Sequence, residues 1–122
     1  MSQVSAVTTH VLDTAKGTPA VGVAVRLERA ERAGESGESG ESGEIARGRT
    51  DADGRIRGLG PPRLPAGTYR LVFETGPYLA GQGHRAAFFP EVIITFALDR
   101  DAGHCHVPLL LSPFAYSTYR GS

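Results

Sequence analysis

His104 and His106 flank Cys105, the only cysteine of the chain, in the segment HCHVP. Imidazole nitrogen and thiolate sulfur are both good zinc ligands. An imidazole, with an ordinary pKa near ~6.5, can also take up or release a proton at neutral pH. A third possibility is that the segment only packs. Strand geometry begins to separate these readings. Cys105, Val107, Leu109 and Leu111 fall on one face of an alternating segment, opposite His104, His106, Pro108 and Leu110. Residues two apart in a strand share a face and sit roughly 7 Å apart, at ~3.3 Å per residue. The two histidines therefore point one way and Cys105 the other, where it reads as a small buried apolar residue. A zinc site would need at least one further ligand, and usually two, from another strand.

One candidate partner lies at the opposite end of the chain. In VTTHVLD, Val7, Thr9 and Val11 share one face, and Thr8, His10 and Leu12 share the other. If this strand packs beside the C-terminal ones, His10 can approach His106. A single strand histidine is ordinarily a hydrogen-bonded surface residue; two of them on non-core faces strengthen a functional reading without settling it.

The elements that must hold these residues are strands almost throughout. VGVAVRLE sets Val21, Val23, Val25 and Leu27 on one face, TYRLVFE sets Tyr69, Leu71 and Phe73 together, and EVIITFAL groups Val92, Ile94, Phe96 and Leu98. Period-two alternation of β-branched and aromatic residues, punctuated by Gly and Pro, predicts seven or eight short strands. That pattern implies an all-β fold, an antiparallel β-sandwich. GPYLAGQGH, after the Tyr69 strand, has room for one short helix. Ile93 and Leu110 are apolar on faces turned away from the main core, which suggests self-association.

Two segments depart from the pattern. GESGESGESGE, over residues 34–44, combines entropy-rich Gly and Ser with mutually repelling Glu side chains, and is expected to be a mobile, solvated loop rather than a functional acidic patch. TDADGRI, from Thr50, resembles a calcium loop but lacks the spaced oxygen ligands and the distant bidentate Glu. Asp53-Gly54 reads better as a tight turn between two short strands, with Arg55 opening the second and its guanidinium free to act elsewhere.

Length and charge exclude several classes. At 122 residues the chain suits one domain, spanning residues 1–122. A domain of this size buries roughly two-thirds of the surface its unfolded chain exposes, so no disulfide or structural metal is required. Thirteen basic residues balance thirteen acidic ones, whereas nucleic acid and anionic membranes call for a basic excess. One cysteine allows no internal disulfide. Neither a secretory signal nor an apolar run near the ~20 residues of a transmembrane helix is visible. A cytoplasmic location is expected, with no nucleic-acid or membrane partner.

The segments THVLDTAKGTPA, TDADGRI, GTYRLVFETGPY, FFPEV, HVPLLLSP and YSTYRGS, in this order, resemble the 5-hydroxyisourate hydrolases, the enzymatic branch of the transthyretin-like family. The resemblance covers nearly the whole chain. Its most specific part is the terminal YRGS, which ends the hydrolases and is absent from the hormone-carrying transthyretins. Departures are mild: Cys105 stands where an aromatic residue is frequent, and Phe114-Ala115 precede YST where the family often has Tyr-Gly.

The resemblance implies a transthyretin-like β-sandwich of two four-stranded sheets with one short helix. It also implies a homotetramer, a dimer of dimers, whose active sites line a central channel. Matched residue by residue, it implies His10, Arg55 and His106 as catalytic residues, and His10, Arg55, Tyr119, Arg120, Gly121 and Ser122 as substrate-binding ones. His104 matches a frequent residue without an assigned role. The implied substrate is 5-hydroxyisourate, a product of urate oxidation. Hydrolysis of its six-membered ring at an amide-like C–N bond gives 2-oxo-4-hydroxy-4-carboxy-5-ureidoimidazoline. In this reading Arg55 orients the ring and stabilises charge, the histidines move protons, and neither metal nor cofactor is needed. Three rival expectations remain: a transthyretin-like small-ligand carrier without chemistry, a small metal-binding sandwich centred on His104 and His106, and a generic interaction domain.

Overall fold

The computed structural model describes residues 4–30, 43–84, 86–100 and 103–121. The repeat at 34–44 lies, up to residue 42, outside the described residues, and so does Ser122. Two sheets face one another. The first contains β1 (Val7–Asp13), β2 (Thr18–Pro19), β5 (Arg55–Ile56), β8 (Cys105–Ser112) and β9 (Ala115–Thr118). The second runs β4 (Glu44–Arg49), β3 (Ala24–Arg29), β6 (Gly67–Glu74), β7 (Val92–Leu98). One helix, α1 (Thr75–Gly81), follows β6 directly, in the segment expected to hold it.

The first sheet has five strands but is four strands wide. β8 takes one edge of β1 along its whole length, from Val7 opposite Cys105 to Asp13 opposite Leu111. The two-residue strands share the other edge, β5 against Thr9 and His10 and β2 against Leu12 and Asp13. The β1–β8 pairing is parallel, which corrects the expectation of a purely antiparallel sandwich. Hairpins force neighbouring strands to run antiparallel. β1 and β8 stand at opposite ends of the sequence, so no local turn dictates their direction.

The alternation seen in the sequence sets the core. Tyr69, Leu71 and Phe73 from β6 face Val7, Val11, Leu109 and Leu111 from the other sheet, all at most 1% exposed. Cys105 and Val107 belong to the same core. Val21 does not: it is 54% exposed, because Gly22 (φ +82°) turns the chain before β3 begins at Ala24. Of the outward apolar pair, Ile93 is exposed and Leu110 half-buried. Each fully buried Leu or Phe contributes about 1.5–3 kcal/mol relative to exposure. A one-residue slip of β1 or β8 would exchange these side chains with the histidines, so core packing holds the register on which the polar face depends.

The start of β5 is fixed by a tight turn. The Gly54 N–H donates to the Asp51 carbonyl (2.9 Å) and the Val11 N–H to the Gly54 carbonyl (2.7 Å). Oδ1 of Asp51 accepts from the N–H groups of Asp53 (2.9 Å) and Arg55 (3.0 Å). Gly54 has φ +75°, and a Cβ there would stand 2.5 Å from the Val11 carbonyl oxygen. Gly54→Ala is therefore expected to cost about 1–3 kcal/mol and to lower the thermal unfolding midpoint by several degrees. A wild-type midpoint would show that the turn relaxes freely.

Candidate active site

Three chain segments bring the expected residues to one face of the first sheet. His10 on β1 and Arg55 on β5 are direct cross-strand partners, so their side chains leave the sheet side by side. On the other edge of β1, His106 pairs with Thr8, and Pro108 with His10. The face carrying Thr8 and His10 thus continues into His104 and His106. His10, Arg55 and His106 are all half-buried, and His104 is exposed. A cleft of about 200 Å³ opens beside them, lined by Thr8, Arg55, Arg57, His104 and His106 together with Val4 and Thr9; His10 stands next to Arg55 but is not among its lining residues.

The hydroxyl of Thr8 joins the two neighbouring histidines. Its Oγ1 lies 2.7 Å from Nδ1 of His106 and 3.1 Å from Nε2 of His104. Thr8 itself is only 4% exposed, so this oxygen is held in place by the sheet around it.

Electrostatics favour neutral imidazoles. Burial pushes the His106 pKa down, and the charges of Arg55, His10 and His104 push it the same way. His10 is also lowered, by burial and then Arg55, although a hydrogen bond to the Asp53 backbone and the carboxylates of Asp51 and Asp53 oppose the shift. A neutral imidazole keeps a lone pair with which to take a proton. Cys105 sits on the opposite, core face, 6% exposed, and burial raises its thiol pKa. It is neither a nucleophile nor a ligand partner for the histidines beside it. Among the described residues no three His, Cys, Asp or Glu side chains gather closely enough to hold a metal ion.

The C-terminal residues divide. The Gly121 N–H donates to the His106 carbonyl (2.7 Å), which forms a lone antiparallel bridge. The backbone passes so close that a Cβ on Gly121 would stand 2.7 Å from Cδ2 of the His106 ring. Tyr119 and Arg120 are exposed and line a separate cleft with Ile94, Phe96, Cys105 and Val107, apart from the His106 cleft within one protomer. Ser122 is outside the described residues.

Two cleft residues carry no role in the sequence reading: Thr8, set there on the His10 face, and Arg57. Thr8 lies two positions before His10, and Arg57 two after Arg55, so period-two parity places each beside a residue already singled out. Arg57 is anchored through its backbone, since its carbonyl accepts the Ser5 N–H (3.0 Å).

Comparison with known proteins bears on what this face does. The HIUase/Transthyretin family matches residues 7–121. A 5-hydroxyisourate hydrolase of Caulobacter vibrioides is 45% identical over 121 residues, covering 97% of this chain and 99% of that one. The structure of Klebsiella pneumoniae 5-hydroxyisourate hydrolase superposes with a TM-score of 0.78 at 42% identity, over 97% of this chain and 99% of that chain. Sea bream transthyretin in complex with thyroxine superposes with a TM-score of 0.82 at 34% identity, over 95% and 94%. A carrier and an enzyme thus share this fold, and only side chains can distinguish them.

Proposed function

Because this chain belongs to the HIUase/Transthyretin family, we propose that it hydrolyses 5-hydroxyisourate to 2-oxo-4-hydroxy-4-carboxy-5-ureidoimidazoline, a step of purine catabolism. The observation that carries this reading is the convergence of Arg55, His10 and His106 on one half-buried face, with both histidines biased towards the neutral form.

The roles follow from the residue types. The guanidinium of Arg55 presents a fork that suits a planar ring bearing several carbonyls, and it stabilises negative charge as water adds to the carbonyl carbon. His106 and His10 take a proton from that water and pass it to the nitrogen that leaves when the C–N bond breaks. No step requires a metal or an organic cofactor. Gly121 keeps the C-terminal segment against the His106 ring; the substrate-binding role of Tyr119, Arg120, Gly121 and Ser122 is taken from the family resemblance, since Tyr119 and Arg120 line a different cleft of this chain.

We further propose a homotetramer built as a dimer of dimers. Phe88 (66% exposed) and Phe114 (77% exposed) stand in an aromatic cluster with Phe89 and Tyr116, a surface suited to burial against a second copy. No helix among the described residues is long and apolar enough to cross a membrane; a cytoplasmic location is part of the proposal.

The test is ultraviolet absorbance. Freshly generated hydroxyisourate should decay faster with the protein than without it, and a carrier without chemistry would leave the decay rate unchanged. The acid limb of kcat/KM carries a second expectation. Protonation removes the base, and both histidines are held below their ordinary value of ~6.5. Activity should therefore persist below pH 6.5 before it falls. An acid limb well above 6.5 would contradict the assignment.

A further inference from the structure

The family resemblance assigns no role to His104, and none to the Thr8 hydroxyl that joins it to His106. From their geometry we infer that Thr8 and His104 are positioning residues for His106: the Thr8 hydroxyl fixes which His106 nitrogen is free to act as base, and it links that base to an exposed imidazole that can hold the proton. The inference rests on the hydrolase reading above and deepens it.

A threonine hydroxyl has one proton and two lone pairs. Its Oγ1 stands 2.7 Å from Nδ1 of His106 and 3.1 Å from Nε2 of His104. One proton can go to only one of these two nitrogens, so at least one ring must donate. If Thr8 donated to His106, neutral His106 would carry its proton on Nε2 and have no lone pair left for water. If His106 donates from Nδ1, its Nε2 is bare and can accept, and Thr8 is free to donate to Nε2 of His104. Only the second arrangement makes His106 a base. The same logic, in which a fixed partner on one ring nitrogen determines the function of the other, applies to histidines generally.

The second arrangement is also a path. When water gives a proton to Nε2 of His106, the proton on Nδ1 passes to Oγ1 of Thr8. The hydroxyl proton of Thr8 passes in turn to Nε2 of His104. His106 and Thr8 each gain one proton and lose one and stay neutral, and His104 gains one, so the positive charge comes to rest on His104. As the C–N bond breaks, its electron pair goes to nitrogen. The two internal transfers then reverse, restoring the proton on Nδ1 of His106, and Nε2 of His106 gives its proton to that nitrogen. The water oxygen remains on the carbonyl carbon as a carboxyl group, which loses its own proton to solvent. No external oxidant, reductant or base is consumed.

Electrostatics explain why such a path is useful. A positive charge on His106 would face Arg55, His10 and His104, which all disfavour it, and among the described residues no carboxylate offsets them. Arg57 lines the same cleft. His104 is exposed, so water screens a charge placed there. Moving the charge one hydroxyl outward keeps Arg55 and an imidazolium from competing at the reacting centre.

The experiment uses the full chain with Thr8→Val, Thr8→Ser and His104→Phe. Valine keeps the branched shape but removes the hydroxyl. Expected for Thr8→Val is a fall in kcat of about 10- to 100-fold, by analogy with the loss of a hydrogen-bond partner that orients a metal-ligating histidine, with KM within twofold. Thr8→Ser should recover most of the rate, and His104→Phe should lower kcat with KM unchanged. Nitrogen-15 NMR of the histidine rings reads the tautomer directly. Neutral His106 should be protonated at Nδ1 in the wild type and should lose that preference in Thr8→Val. The inference is overturned if His106 is protonated at Nε2 in the wild type, or if folded Thr8→Val keeps kcat within twofold. Should the wild type leave hydroxyisourate decay unchanged, the hydrolase reading fails by itself, and the NMR comparison still decides whether Thr8 sets the tautomer.

Discussion

His106→Ala is expected to lower the rate of hydroxyisourate decay by about 10²–10⁴, the usual contribution of a placed general base, while leaving the sandwich folded. The side chain stands on the polar face of β8, and the buried side chains that hold the strand, Cys105, Val107 and Leu109, point the other way. What the substitution removes is the ring that meets Thr8 and lies under Gly121. Removing it leaves the Thr8 hydroxyl with His104 as a remaining partner, so no buried polar atom is stranded. His10→Ala should also cost a large factor. Its ring stands beside Arg55 and contributes to the charge felt by His106. If the two act on one proton, the double substitution will cost far less than the product of the single effects. Turnover near the wild-type level in either folded single variant would remove that histidine from the chemistry.

Much of this site could be read from strand parity. Alternation alone separated Cys105 from its flanking histidines and put Thr8 and His10 on a common face, and the structure bears out both placements. The Asp53-Gly54 turn and the start of a strand at Arg55 were equally legible, because a left-handed residue followed by an apolar alternation has few other solutions. Long-range pairing was not legible. β1 meets β8 in parallel across almost the whole sequence, and no turn residue encodes that direction. β5 and β2 share one edge of β1 because each pairs through only two residues, too few to leave a periodic signal. The fate of the C-terminus was hidden for a related reason. Beyond β9 the ladder is reduced to one bridge at Gly121, so parity no longer says which cleft receives Tyr119 and Arg120. Family resemblance named candidate site residues; the register of β1 against its two neighbours explains why residues 10, 55 and 106 share one face.

Arg55→Lys and Arg55→Ala should separate two roles that one guanidinium combines. Lysine retains the positive charge but presents a single ammonium instead of a planar fork. Arg55→Lys is thus expected to lose about 10²–10³ in kcat, as when a fixed donor to a developing oxyanion is removed. Its acid limb should stay where it is in the wild type, because the charge that helps depress His10 and His106 remains. Arg55→Ala should lose at least as much rate and should also move the limb. Removing a nearby positive charge makes each imidazolium easier to form, so both histidine pKa values rise and activity falls away at a higher pH. The shift will be partial, since burial, the largest cause of both depressions, is still present and Arg57 keeps the cleft cationic. The comparison is made from kcat/KM against pH for the three proteins. An Arg55→Ala limb that moves down would mean that the guanidinium does not tune the bases, and an Arg55→Lys rate close to wild type that its fork does not hold the ring.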